Sequence, residues 1–137
     1  MSAPPQPRTG VSVLLTCTDL DASIVARMFV RDDPWGLVVT CDGGTADRHT
    51  LQLLDSFRRL FGIEEVVVLH HTNCPAAARA ALTEAPGPAS VALGAEETGL
   101  RLADTLGVIR ARIRPARADS VSGYVYDQGR DQLIAWT

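Results

Sequence analysis

This chain of 137 residues predicts an α/β fold, a compact and mainly parallel sheet of four or five strands flanked by helices. Three observations carry that reading. Short apolar runs rich in β-branched residues recur along the chain, as strands covered on both faces require. Between them lie stretches with apolar residues at spacings of three and four, the period of helices packed on a sheet. Finally, Cys17, Cys41 and His71 each fall where a strand-like run ends, the edge at which such sheets collect ligands.

Residues 1 to 10, rich in Pro and polar side chains, read as a flexible tail, and residues 11 to 137 as one domain. Val11 to Cys17 is the first strand. Asp19 or Asp21 then caps a helix over Ala22 to Val30, with Ile24, Val25, Met28 and Phe29 on one side. Asp32-Asp33-Pro34 ends it. Gly36 to Cys41 is the second strand, left through Asp42-Gly43-Gly44. The clearest helix follows, with Leu51, Leu54, Phe57, Leu60 and Phe61 as its apolar stripe, His49 exposed near its start and Gly62 as its stop.

Glu65 to Leu69 is the third strand, and a helix begins near Pro75 and runs through Thr83. Pro86, Gly87 and Pro88 mark a loop, and Glu96 to Leu106 predicts another helix. The Arg110-Ala111-Arg112-Ile113-Arg114 segment alternates charge with apolar residues and reads as one solvated face. Gly123 to Tyr126 and Leu133 to Trp136 form a terminal strand pair. Trp35 and Trp136 suit packing or a subunit contact.

Composition narrows the function classes. The net charge of −3 gives no electrostatic reason for nucleic acid or an anionic membrane as partner. All thirteen basic residues are Arg, so Schiff-base chemistry on a lysine is excluded. No apolar run approaches the roughly 18 residues of a membrane span, and the first ten residues lack a signal-peptide core. A cytoplasmic location is the expectation. Three cysteines make a poor disulfide framework, so thiols at strand ends are better read as ligands or reactive groups.

The chemistry concentrates in Thr16-Cys17-Thr18-Asp19 and in His71-Thr72-Asn73-Cys74. Two thiols, an imidazole and a carboxylate are thereby delivered to the ends of neighbouring elements. Thiolate and imidazole are donors that a tetrahedral zinc ion prefers. A set of two cysteines and one histidine leaves a fourth position for water or a carboxylate, as catalytic sites do. His71 is preferred to His70 because it gives the two-residue gap to Cys74. Cys41 is either a strand-end core residue, a pocket-lining thiol or an alternative ligand.

Cys17-Thr18-Asp19 after the first strand, Gly43-Gly44 after the second and His71-Thr72-Asn73-Cys74 after the third, in this order, resemble the β-class carbonic anhydrases. Gly123-Tyr124-Val125-Tyr126-Asp127 is similar to that family's Gly-Phe-Val-Tyr-Asp strand, so the resemblance spans most of residues 11 to 136. It implies zinc held by Cys17, His71 and Cys74. It also implies that Asp19 either binds the metal or orients its water. Reversible hydration of carbon dioxide to bicarbonate would be the activity, and a homodimer or higher homo-oligomer the assembly.

Departures from the family pattern are equally specific. Its Cys-x-Asp-x-Arg arginine, which pairs with the aspartate, is Asp21 here, leaving Asp19 a carboxylate that can ligate zinc itself. The Arg-Asn-Ala stretch before Gly-Gly is Thr40-Cys41-Asp42, and the glycine after the second metal cysteine is Pro75. Two other readings therefore stand beside carbon dioxide hydration. One is hydrolysis, lysis or condensation on another small electrophile, such as carbonyl sulfide or carbon disulfide. The other is a non-catalytic zinc module in which Asp19 closes the site.

Overall fold

A computed structural model describes residues 10–17, 24, 36–41, 46–72, 95–113 and 120–136. Five strands form one sheet: β1 Val11–Cys17, β2 Gly36–Cys41, β3 Ile63–His71, β4 Val121–Asp127 and β5 Gln132–Ala135. Two helices, α1 Arg48–Leu60 and α2 Ala95–Ile113, complete the described elements. The sheet order is β2-β1-β3-β4-β5. β1 runs parallel to β2 and β3, β3 parallel to β4, and β5 closes the edge antiparallel to β4. The predicted α/β architecture is the one observed.

Every residue of β1 is buried, as expected of a central strand covered on both faces. Alternation divides the sheet. Val13, Leu15, Val66, Val68, Val121 and Val125 face the larger core, where Leu54 of α1 and Leu102, Leu106, Ile109 and Ile113 of α2 cover them. Leu14, Leu69 and Tyr126 face the other way, with Ile24, which is helical and buried, among them. The remainder of the predicted helix over Ala22 to Val30, and the helix predicted from Pro75 to Thr83, lie outside the described residues.

Local chemistry explains the ends of α1. Asp47 is its N-cap, its carboxylate accepting from the Thr50 N–H at 2.8 Å. At the other end, Phe61 N–H and Gly62 N–H donate to the carbonyls of Phe57 and Arg58, and Gly62 takes φ 74°, a left-handed turn suited to glycine. The chain then re-enters the sheet beside Gly10. Val11 N–H donates to Gly62 O at 2.9 Å, and a Cβ on Gly10 would overlap that peptide. The two glycines let the strand and the turn touch.

Three expectations are corrected. β3 begins at Ile63 and runs to His71, so the histidines lie in the strand itself rather than beyond it. The helix expected to stop at Leu106 continues through Gly107 to Ile113. Its Leu102, Leu106, Ile109 and Ile113 follow helical spacing into the core, which outweighs the roughly 1 kcal/mol that an internal glycine costs. Arg110 to Ile113 are therefore helical. Arg112 keeps to the expected solvated face while pairing with Asp55 of α1 at 2.8 Å, and Arg110, half-buried, donates to Val121 O at 2.8 Å. In α1, Leu54 is buried, but Leu60 and Phe61 at the end of the expected stripe are exposed. His49 is exposed as expected. No helix among the described residues is long and apolar enough to cross a membrane.

Candidate metal centre

Cys17 and His71 are the last residues of β1 and β3, adjacent parallel strands that end at the same edge of the sheet. Both are almost wholly buried, at 1% and 2% exposure. The ladder pairs Thr16 with Leu69, so Cys17 lies level with His70, and His71 reaches one residue farther along. Pleat alternation places Cys17 with Leu15 on the larger-core side and His71 with Leu69 on the other. A ligand shared by them would have to sit off the end of the sheet rather than over either face.

Cys41 is the in-register partner of Cys17, half-buried, with its Sγ 3.9 Å from Thr16 O. Its packing is against the larger core, which favours the reading of a strand-end residue. Both cysteines are thiols. Asp19, Asp21 and Cys74 lie outside the described residues. Among the described residues no three His, Cys, Asp or Glu side chains group closely enough to hold a metal ion. The structure thus places two of the predicted donors at one edge, from two strands.

The imidazole of His71 is held from behind. Its Nδ1 lies 3.1 Å from the Thr72 carbonyl oxygen and 3.3 Å from Nε2 of Gln128. Thr72 is itself fixed, its N–H donating to Tyr126 O at 3.0 Å and its Oγ1 accepting from Gln128 N–H at 3.0 Å. The turn between β4 and β5 supplies Gln128. Asp127 shapes that turn by accepting from the N–H groups of Gly129 and Arg130 at 3.1 and 3.4 Å, and Tyr126 donates its hydroxyl hydrogen to Asp131. Thr72 and Gln128 were not singled out by the sequence. A glutamine in a polar turn carries no pattern until β4 is known to pair with β3.

The two donors, Cys17 and His71, are of kinds that zinc takes. A histidine that presents Nδ1–H to a backbone carbonyl keeps the lone pair on Nε2, the arrangement typical of metal-ligating imidazoles. Nε2 of His71 is buried. A buried thiol on the neighbouring strand end adds the sulfur donor that zinc takes readily. A groove on the outer side of α1, bordered by Gln52, Asp55, Ser56, Arg58 and Arg59, offers no such donors and belongs to the solvent face of that helix.

No protein-family model matches the chain, and no curated protein matches it in sequence. Solved structures do match its fold. The β-carbonic anhydrase CafD of the filamentous fungus Aspergillus fumigatus superposes with a TM-score of 0.66 at 15% identity, covering 99% of this chain and 95% of that one. The apo form of a carbon disulfide hydrolase gives 0.65 at 15% identity, over 96% and 80% of the two chains. A structure from a study of two tetrameric β-carbonic anhydrases from the ascomycete Sordaria macrospora gives 0.59 at 14%, over 94% and 81%. The chain has the β-carbonic anhydrase fold.

Proposed function

We propose that this protein is a zinc-dependent enzyme of the β-carbonic anhydrase type, acting on carbon dioxide and bicarbonate or on a closely related small electrophile. Cys17, His71 and Cys74 hold the metal, and Asp19 gates the fourth position. The observation that carries this reading is the back-side clamp on His71 at the edge where β1 delivers Cys17. The shared fold supports it.

Zinc, when bound, acts as a Lewis acid that brings a water molecule close to ionisation at neutral pH. The chain's own residues do the rest. The Thr72 carbonyl fixes the His71 ring, and the buried strand ends around Cys17 and His71 exclude bulk solvent from the donors. Asp19 accepts a proton or a hydrogen bond beside the reacting water. With Asp21 in place of the arginine that would draw it away, the Asp19 carboxylate can also take the fourth position, and this favours a more tightly gated site. The carbon disulfide hydrolase among the matching folds makes that substrate the second to test.

A cytoplasmic homo-oligomer built on a homodimer completes the proposal. Val38 on the edge strand β2, with Leu60 and Phe61 at the end of α1, are exposed apolar side chains suited to a subunit contact. The experiment is stopped-flow hydration of carbon dioxide between about pH 6 and 9 on protein assayed for zinc in the same sample. Turnover that rises with pH supports the reading. Full zinc occupancy without turnover on carbon dioxide, carbonyl sulfide or carbon disulfide overturns the enzymatic part.

A further inference from the structure

One nitrogen of His71 faces two neighbours that require opposite things of it. The Thr72 carbonyl, 3.1 Å from Nδ1, can only accept, and so requires a hydrogen on Nδ1. The side-chain nitrogen of Gln128, 3.3 Å from the same atom, can only donate, and so requires a lone pair there. The two demands select different tautomers. A hydrogen on Nδ1 leaves the lone pair on Nε2, available to a metal, whereas a lone pair on Nδ1 puts the hydrogen on Nε2 and closes that nitrogen to ligation.

The conflict is resolved by half a turn of one torsion. Rotation of the terminal amide of Gln128 exchanges its nitrogen and oxygen with little change in shape. With the oxygen toward the ring, Nδ1–H is shared between two acceptors and the ligating tautomer is reinforced. The rest of Gln128 is anchored, because its backbone N–H donates to Thr72 Oγ1 at 3.0 Å and the Asp127 carboxylate holds the turn that follows. The terminal amide is the part left to turn.

We propose that Gln128 is a positioning residue that sets the tautomer of His71, amide oxygen toward the ring when metal is bound and amide nitrogen toward it when metal is absent. The proposal rests on His71 as a metal ligand, the reading given above. It assigns the β4–β5 turn a function at the end of β3. Glutamine suits the position because it carries both an acceptor and a donor, while glutamate would offer acceptors alone and leucine neither.

The test compares the unaltered chain with Gln128→Glu and Gln128→Leu. Two readouts are taken: the His71 tautomer by 15N NMR of the imidazole in metal-free protein, and zinc affinity by competition with a chelator. Gln128 is exposed apart from this contact, and its backbone hydrogen bond survives both substitutions. The expected result is a shift of the metal-free imidazole toward the Nδ1–H tautomer in Gln128→Glu, with zinc affinity at or above that of the unaltered chain. Gln128→Leu should weaken zinc by about tenfold. An unchanged tautomer in Gln128→Glu overturns the proposal, as does unchanged affinity in Gln128→Leu. If the unaltered chain binds no zinc, the metal reading fails, while the NMR comparison still decides whether Gln128 sets the tautomer.

Discussion

Cys17 and Cys41 are in-register neighbours at the last position of two parallel strands, yet only Cys17 is buried at the edge that it shares with His71. Cys41 turns its thiol toward Thr16 O and packs against the larger core. Substituting Cys41 by Ser should therefore leave zinc stoichiometry unchanged, measured by metal analysis after gel filtration. A loss of zinc equal to that in Cys17→Ser would make Cys41 a ligand.

Gly10 and Gly62 meet where β1 enters the sheet, and a side chain on Gly10 would overlap the Gly62 peptide. Backbone cannot give way as a flexible side chain can. Gly10→Ala is expected to destabilise the fold by about 1–3 kcal/mol, read as a lower urea midpoint with an unchanged slope. A midpoint equal to the original would mean that β1 starts without that contact.

Asp47 caps α1, and its hydrogen bond from the Thr50 N–H holds its carboxyl below the ordinary value of 3.8. A carboxyl lowered in the folded state adds stability that is fully present above the unfolded value. That contribution is lost as pH falls through the folded value. Asp47→Asn, which keeps a capping oxygen without the charge, should match the original more closely in acid than at neutral pH. Asp47→Ala should cost about 1 kcal/mol at neutral pH. Thermal melts at both pH values read this directly.

Asp21 stands where the β-carbonic anhydrase pattern has arginine. Asp21→Arg would give Asp19 a cationic partner and draw it from the metal. Carbon dioxide hydration should then rise by about an order of magnitude or more. No change at full zinc occupancy would show that this substitution does not set the rate.

Much of this fold is legible in the sequence because its strands are continuous apolar runs. Val11 to Cys17 and Gly36 to Cys41 have the bounds that their apolar runs predict, since each ends at a change in chemistry. The sheet order was not legible. Strand composition does not say that β1 lies between β2 and β3, which is settled by how helices cross over the sheet. Helix α2 runs past the predicted end at Leu106, because Ile109 and Ile113 carry the core pattern onward. At the site, the places of Cys17 and His71 at strand ends were legible. Thr72 and Gln128 were not, because their role depends on a pairing between β3 and β4 that joins residues 56 apart.

Cobalt titration of metal-free protein decides whether Cys17, His71 and Cys74 hold a metal. One Co2+ should bind per chain in a tetrahedral ligand field, with a thiolate-to-cobalt absorption band. That band should weaken in Cys17→Ser and in Cys74→Ser. In His71→Ala the ligand-field bands should shift and the affinity should fall. A featureless titration of the unaltered chain, or spectra unchanged in all three variants, would contradict that ligand set.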